Sequence, residues 1–102
     1  MSSGQARPCD LCAAQRVTTW YVEDDSCWVA DCEICGVPMA VWRTHGVDPP
    51  SEVREHLLAV LAQIARGRFG AEGYVLDERM RNIPDHYHVH ARDARPLEVV
   101  AR

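Results

Sequence analysis

The clearest pattern of hydrophobic and polar positions lies near the carboxyl end of the chain. There, three histidines alternate with three less polar residues: His86-Tyr87-His88-Val89-His90-Ala91. Every second residue of a strand points to the same face of a sheet. The alternation therefore predicts a strand that turns Tyr87, Val89 and Ala91 into a core and presents a row of three imidazoles on the opposite face.

A second pattern has the spacing of an amphipathic helix. Val53, Leu57, Leu61 and Ile64 recur every three or four residues, and further apolar residues at 58, 60 and 65 widen the stripe. The prolines and acidic residues of segment 48–52 are typical of a helix start. Gly67 is a typical stop. We predict one long helix between these limits, with its stripe in the core and His56 beside it near the surface.

Four other runs are rich in β-branched and aromatic residues and predict strands: 18–22, 27–31, 37–43 and 74–77. The polar residues 23–26 predict a hairpin that turns about Asp24-Asp25. The third run follows Gly36 and predicts a return along the second strand. Together with the helix and the histidine strand, these runs predict a small α+β domain, in which one main helix crosses a mainly antiparallel sheet.

A length of 102 residues fits a single domain, and neither a linker nor an internal repeat divides it. We expect a flexible N-terminus at residues 1–8, a core from 9 to 92, and a tail from 93 to 102. The apolar residues near Val99 make the tail either a short edge strand or a frayed end.

The formal net charge is −4, with acidic and basic residues mixed along the chain. Binding to nucleic acid or to a membrane surface needs a basic patch, so we expect neither partner. No apolar run approaches the roughly 18 residues of a membrane span. The first eight residues lack a hydrophobic signal core, which indicates a cytoplasmic protein.

In a reducing cytosol, cysteines are better interpreted as metal ligands than as disulfides. Two CxxC pairs, Cys9/Cys12 and Cys32/Cys35, are separated by residues 13–31, which is 19 residues and fits a zinc ribbon. The predicted hairpin would bring residue 32 opposite residue 18 and so bring the two pairs together. We therefore predict one structural Zn²⁺ held by Cys9, Cys12, Cys32 and Cys35. Cys27, near the turn, is left without a role.

Three functions remain open for the histidine row. An imidazole can attack phosphorus or an acyl centre. Alternatively, two or three imidazoles could hold a second metal ion beside a water, with Asp77 or Asp85 adding an oxygen ligand. The third function is non-enzymatic: a zinc-ribbon module that binds a nucleotide or a protein. Arginines at 79, 81 and 92 would suit a phosphate or carboxylate ligand in any of them.

The order of elements resembles the histidine-triad (HIT) superfamily. Segment 86–91 is similar to its His-φ-His-φ-His-φ signature, where φ is apolar, and the resemblance covers about residues 9–92. Segment 21–24 resembles the strand and acidic turn that open the family's sheet. Segment 37–45 resembles the strand, ending in a basic residue and a histidine, that precedes its long helix. An N-terminal CxxC also recurs in many members.

The resemblance implies a hydrolase of nucleotide phosphoesters or phosphoramidates, or a nucleotidyl transferase, whose substrate is a small nucleotide or phosphate ester. His88 would be the nucleophile, with His86 and His90 as its neighbours. Family members are commonly dimers, so a homodimer is implied as well. The resemblance also implies a rival zinc set: Cys9, Cys12, His45 and His86. We prefer four cysteines, because the second CxxC pair would otherwise have no explanation.

Overall fold

The computed structural model describes residues 9–13, 16, 18–80 and 83–94. It contains a short helix, five strands and one long helix, and it confirms the predicted α+β class. In chain order the elements are α1 (Asp10–Ala13), β1 (Trp20–Glu23), β2 (Cys27–Asp31), β3 (Pro38–Trp42), α2 (Ser51–Phe69), β4 (Tyr74–Asp77) and β5 (His88–Asp93).

The five strands form one sheet in the order β1-β2-β3-β5-β4, and every neighbouring pair is antiparallel. The histidine strand β5 therefore lies inside the sheet, between β3 and β4. Val41 lies opposite His88, and Met39 lies opposite His90. Because each inner strand is hydrogen-bonded along both edges, the positions of these histidines are fixed by the backbone.

Helix α2 covers one face of the sheet. Its side chains Leu57, Leu61 and Ala65 are fully buried, which confirms the predicted stripe. They pack against inward-facing residues of the strands, among them Val29 and Val89. This cluster, the helix-side core, is the larger of two hydrophobic cores in the described part of the chain.

The opposite face of the sheet carries a second hydrophobic cluster: Leu11, Trp28, Ala30, Met39 and Val41. Leu11 belongs to α1, so the N-terminal helix packs over this face. The indole rings of Trp20 and Trp28 stack here, with their centroids 4.6 Å apart. Since both faces are covered, β2 and β3 are buried along most of their length instead of alternating between buried and exposed positions.

Helix α2 runs past its predicted stop at Gly67 and ends at Phe69. Glycine inside a helix destabilises it by only about 1 kcal/mol relative to alanine. Tertiary contacts of the two residues that follow Gly67 compensate for this loss. Phe69 packs against the helix-side core, and Arg68 donates hydrogen bonds of 2.8 Å to Asp31 and to the Gly36 carbonyl. Gly70 then turns the chain with φ +92°, a conformation that favours glycine.

Other predicted boundaries moved by one or two residues: β1 begins at Trp20 instead of 18, and β5 begins at His88 instead of 86. The predictions for residues 1–8, for Arg81 and for most of the tail (95–102) lie outside the described residues. Within the described part of the chain, no helix has both the length and the apolar character needed to cross a membrane.

An exposed pair joins α2 to the β1–β2 turn. His56 Nε2 lies 2.7 Å from Asp24 Oδ2, and Asp24 Oδ1 accepts the backbone N–H groups of Ser26 and Cys27 at 2.8 Å each. Partial burial works to raise the pKa of Asp24. The hydrogen bonds from His56 and from the two N–H groups outweigh it and lower that pKa to about 2.

We expect Leu57→Ala and Leu61→Ala each to destabilise the domain by about 2–5 kcal/mol, because each opens a cavity in the helix-side core. His56→Ala should cost no more than about 1 kcal/mol, since its ion pair is solvent-exposed. Urea denaturation of the zinc-loaded protein measures all three. An unchanged midpoint for Leu57→Ala would contradict this assignment of the core.

Candidate functional site

The histidine row lies on the sheet face opposite α2. As the alternation predicts, Tyr87, Val89 and Ala91 join the helix-side core. The three histidines are not a solvated row, however: their exposed fractions are 0% for His86, 4% for His88 and 7% for His90. Burying three imidazoles is costly unless their nitrogens bind hydrogen-bond partners or metal ions.

The row connects two groups of residues of the types that bind metal ions. In the first group, His86 lies with Cys9, Cys12 and His45; in the second group, His90 lies with Cys32 and Cys35. This follows from the antiparallel pairing of β3 with β5. The second cysteine pair precedes β3, and His45 follows it, so they lie at opposite ends of β3. At about 3.3 Å of rise per residue, His86 and His90 are about 13 Å apart along the chain.

The structure does not bring the four cysteines together as predicted. It divides them between two groups, each with ligand atoms within 4.8 Å of one another. The register of the β1–β2 hairpin shifts between Trp20 and Val22. At its open end it is the predicted one, since Trp20 pairs with Ala30 and continuing that pairing places 18 opposite 32. The first pair, however, does not continue β1. It belongs to the segment of α1, which Leu11 anchors on the second hydrophobic cluster.

The first group is arranged like the ligands of a tetrahedral ion. Zn–S bonds of about 2.3 Å and Zn–N bonds of about 2.0 Å place neighbouring S and N ligands about 3.5 Å apart. The Sγ–Nδ1 distances are close to this value: 3.4 Å for Cys9–His86, 3.2 Å for Cys12–His45 and 3.4 Å for Cys12–His86. These four residues, the rival set implied by the resemblance, could hold a metal ion.

Both histidines of this group are oriented by an oxygen on their other ring nitrogen. His86 Nε2 lies 2.6 Å from the Trp42 carbonyl oxygen. A carbonyl only accepts, so Nε2 carries the hydrogen, and in the neutral ring Nδ1 keeps its lone pair for a metal. His45 Nε2 lies 3.4 Å from an Asp85 carboxylate oxygen. Such outer partners are typical of metal-binding histidines. Asp85, which the sequence suggested as a ligand of a second metal, lies instead beside His45.

His88 occupies the middle of the row. Its Nδ1 lies 2.7 Å from the carbonyl oxygen of His86, so Nδ1 carries the hydrogen. Burial lowers the pKa of His88, and the nearby His86 lowers it further, although the backbone hydrogen bond acts in the opposite direction. A lowered pKa favours the neutral ring at neutral pH, in which the lone pair is on Nε2.

The second group, Cys32, Cys35 and His90, was not predicted as a unit. The sequence contained one signal for it, which is the hairpin from the second cysteine pair into the third strand. What it did not contain was the register of β3 on β5, which carries His90 to the start of β3. His90 also lies next to His88, with the two rings edge to face and their centroids 5.5 Å apart.

A third group of ligand-type residues surrounds Cys27: Asp24, Cys27 and His56. Hydrogen bonds within the group already engage both carboxylate oxygens of Asp24. Cys27 is fully buried in the helix-side core. Desolvation, together with the nearby Asp24, raises the pKa of its thiol to about 12. Burial and the raised pKa of Cys27 both disfavour its thiolate, which is the reactive form.

Of the arginines expected near the histidines, Arg92 is already paired with an acidic side chain. Arg92 donates from Nε to Asp77 Oδ2 at 2.8 Å, so Asp77 pairs with a guanidinium. Arg79 is exposed, and its backbone N–H donates to Asp77 Oδ1. Phosphate binding by these side chains stays a prediction.

Comparison with known proteins adds no relative: no family model matches the chain, and a search of curated proteins found no similar one. The resemblance to the HIT superfamily therefore rests on the motifs described above. What the described residues offer chemically is two Cys/His groups that could hold metal ions, with the imidazole of His88 between them.

We expect the first group to bind one Zn²⁺, and Asp85→Asn to weaken that binding about 10–100-fold, the usual effect of removing an outer partner of a ligand. His45→Ala should weaken it more. Asp25→Asn, an exposed aspartate in the β1–β2 turn, is the matched control. Competition with a chromophoric chelator measures the affinities.

The same measurement on Cys35→Ser separates the two zinc assignments. The four-cysteine site requires Cys35→Ser to abolish the tight site while His45→Ala leaves it intact. The geometry of the first group requires the reverse. Loss of the tight site in Cys35→Ser alone would restore the four-cysteine assignment.

Proposed function

We propose that this protein is a zinc-containing, HIT-like hydrolase of nucleotide phosphoesters or phosphoramidates, or a nucleotidyl transferase, with His88 as the nucleophile. The observation that carries the proposal is the 2.7 Å contact between His88 Nδ1 and the His86 carbonyl. It fixes the tautomer with a lone pair on Nε2, which is the form a nucleophilic imidazole needs.

In the first step, His88 Nε2 attacks phosphorus and forms an N–P bond, while the bond from phosphorus to the amine or second phosphate breaks. The leaving group departs with the electron pair: an amine takes up a proton from solvent, whereas a phosphate leaves as the anion. The nucleotidylated imidazole is cationic, and its Nδ1–H donates to the His86 carbonyl, which stabilises that charge. Water, or a second acceptor in the transferase case, then attacks phosphorus and gives up a proton to solvent, and the N–P bond breaks to release neutral His88.

Zn²⁺ at Cys9, Cys12, His45 and His86 would have a structural role. Four protein ligands leave no open position, so the ion supplies no substrate site. It would instead hold His86, the residue whose carbonyl orients His88. The same histidine is also fixed through Nε2 by Trp42 at the end of β3. Two restraints on one residue would keep the nucleophile in a defined orientation.

The burial of His88 determines how a substrate could reach it. Only 4% of the residue is exposed, so bulk water is largely excluded from the imidazole. Leu11 and Ile83 belong to the cluster on this face. A nucleotide would therefore have to displace part of what covers the row before its phosphate reached Nε2. Closure of the displaced part over the bound substrate would then protect the covalent intermediate from premature hydrolysis.

A second candidate function is a metal-dependent hydrolase, in which an ion at Cys32, Cys35 and His90 activates water. The grouping of these three residues beside His88 favours it. Its activity would depend on the second cysteine pair, whereas the His88 mechanism needs no metal at that position. Cys35→Ser therefore distinguishes the two by activity.

The main test is hydrolysis of a nucleoside 5′-phosphoramidate and of a dinucleoside polyphosphate by zinc-loaded protein without added metal. His88→Ala should lose at least about 100-fold in rate, the low end for a positioned catalytic group. His86→Ala and His90→Ala should keep more activity than His88→Ala. The control is His56→Ala, whose histidine lies on the exposed side of α2; it should retain the full rate.

Trapping of a labelled nucleotidyl group on wild-type protein, and its absence from His88→Ala, would add direct support. Zinc content and circular dichroism must match between the two proteins, so that lost activity is not lost folding. Full activity in His88→Ala would refute the nucleophile. No turnover of any phosphorus substrate would leave the non-enzymatic zinc module as the better account.

A further inference from the structure

We infer that Cys32, Cys35 and His90 form a second metal site, which binds a thiophilic divalent ion such as Zn²⁺ and leaves its fourth position open to water or a small anion. The inference goes beyond the proposed function, because it does not require His88 to react. It rests on the turn that carries the cysteines, on the surroundings of their sulfurs, and on the placement of His90.

The turn that carries the cysteines is closed by two backbone hydrogen bonds. Gly36 N–H donates to the Cys32 carbonyl at 2.9 Å, and Cys32 N–H donates to the Val37 carbonyl at 2.7 Å. Gly36 has φ +74°, in the left-handed region that favours glycine, and nothing lies within 4 Å of where its Cβ would be. Glycine is thus required there by backbone conformation and not by lack of space.

Backbone N–H groups of this turn donate to the sulfurs. Cys32 accepts from Ile34 and Cys35, and Cys35 accepts from Val37. Such bonds stabilise a thiolate, the form that binds metal. Both sulfurs are therefore already surrounded by hydrogen-bond donors in the turn itself.

Arg92 supplies a positive charge at the second sulfur. Its guanidinium hydrogen-bonds to Cys35 and also to Asp77, the latter at 2.8 Å. A cation that contacts a coordinating thiolate offsets part of its charge and reduces its donation to the metal. The bound ion then keeps more Lewis acidity for a fourth ligand.

His90 supplies the nitrogen ligand from a rigid position. It pairs with Met39 on one side and with Asp77 on the other, inside the sheet. Only 7% of it is exposed. Its ligand atom lies within 4.8 Å of both sulfurs. The three ligands thus come from one closed turn and one central strand, so the site needs little rearrangement to accept an ion.

The two groups differ in ligand number. Among the residues that the structure describes, the first group has four ligand residues and the second has three. Closed four-ligand sites are typical of structural zinc, whereas three protein ligands with an exchangeable fourth position are typical of sites that bind substrate. His88 borders the second site, because its ring contacts that of His90. A small anion on the ion would therefore lie near His88.

The test uses the full chain loaded with Co²⁺, which reports coordination through its visible spectrum. Wild type should bind two ions per chain. The double variant Cys32→Ser/Cys35→Ser should bind one and retain the spectrum of the first group. Adding azide or inorganic phosphate should shift the wild-type spectrum and leave that of the double variant unchanged. Glu33→Gln, an exposed change within the same turn, should behave as wild type.

One ion per chain in folded wild type would overturn the second site. Two ions without any response to azide or phosphate would overturn its open position. If the double variant does not fold, His90→Gln provides the same comparison with both cysteines kept: it should lose the anion response, and a retained response would refute the role of His90. Ion counts and spectra do not depend on turnover, so these results stand apart from success or failure of the phosphorus chemistry.

Discussion

The antiparallel pairing of β3 with β5 is the constraint on which the rest of this structure depends. It sets Val41 opposite His88 and Met39 opposite His90. Because side chains alternate between the two faces, a shift of one residue would turn the histidines toward α2 and move Val89 out of the core. The burial of Val89 against Leu57 and Leu61 favours the observed register. The packing of α2 thus determines which face carries the imidazoles.

The second face gains stability by a different route. Its hydrophobic cluster is small, and three buried histidines share the surface with it. Apolar burial alone is limited in a chain of 102 residues, and unsatisfied imidazoles would subtract from it. His86 meets the Trp42 carbonyl through one ring nitrogen and the first cysteine group through the other. Metal binding there would make a polar, buried residue contribute to folding.

Much of the fold could be predicted from the sequence because periodicity reports burial directly. The strands β2 and β4 have their predicted ends, and the α2 stripe is the one that is buried. The end of α2 could not be predicted from Gly67, since the contacts of Arg68 and Phe69 that continue the helix are tertiary. The division of the four cysteines between two groups could not be predicted for a similar reason. Two CxxC pairs at ribbon spacing are compatible with one shared ion or with two separate ones. The β3–β5 register and the packing of the α1 segment distinguish them, and both are tertiary.

The three histidines therefore have different surroundings, although the sequence presents them as equivalent. His86 lies in the first Cys/His group and His90 in the second, and His88 is linked to both, by a hydrogen bond to the His86 carbonyl and by ring contact with His90. A strand has little freedom to change these distances. An ion bound next to His86 would consequently act on His88 by fixing the carbonyl that orients it. An ion bound next to His90 would act by placing a divalent charge beside it. The alternation that first predicts a strand is in this way also the arrangement that connects the two Cys/His groups to one imidazole.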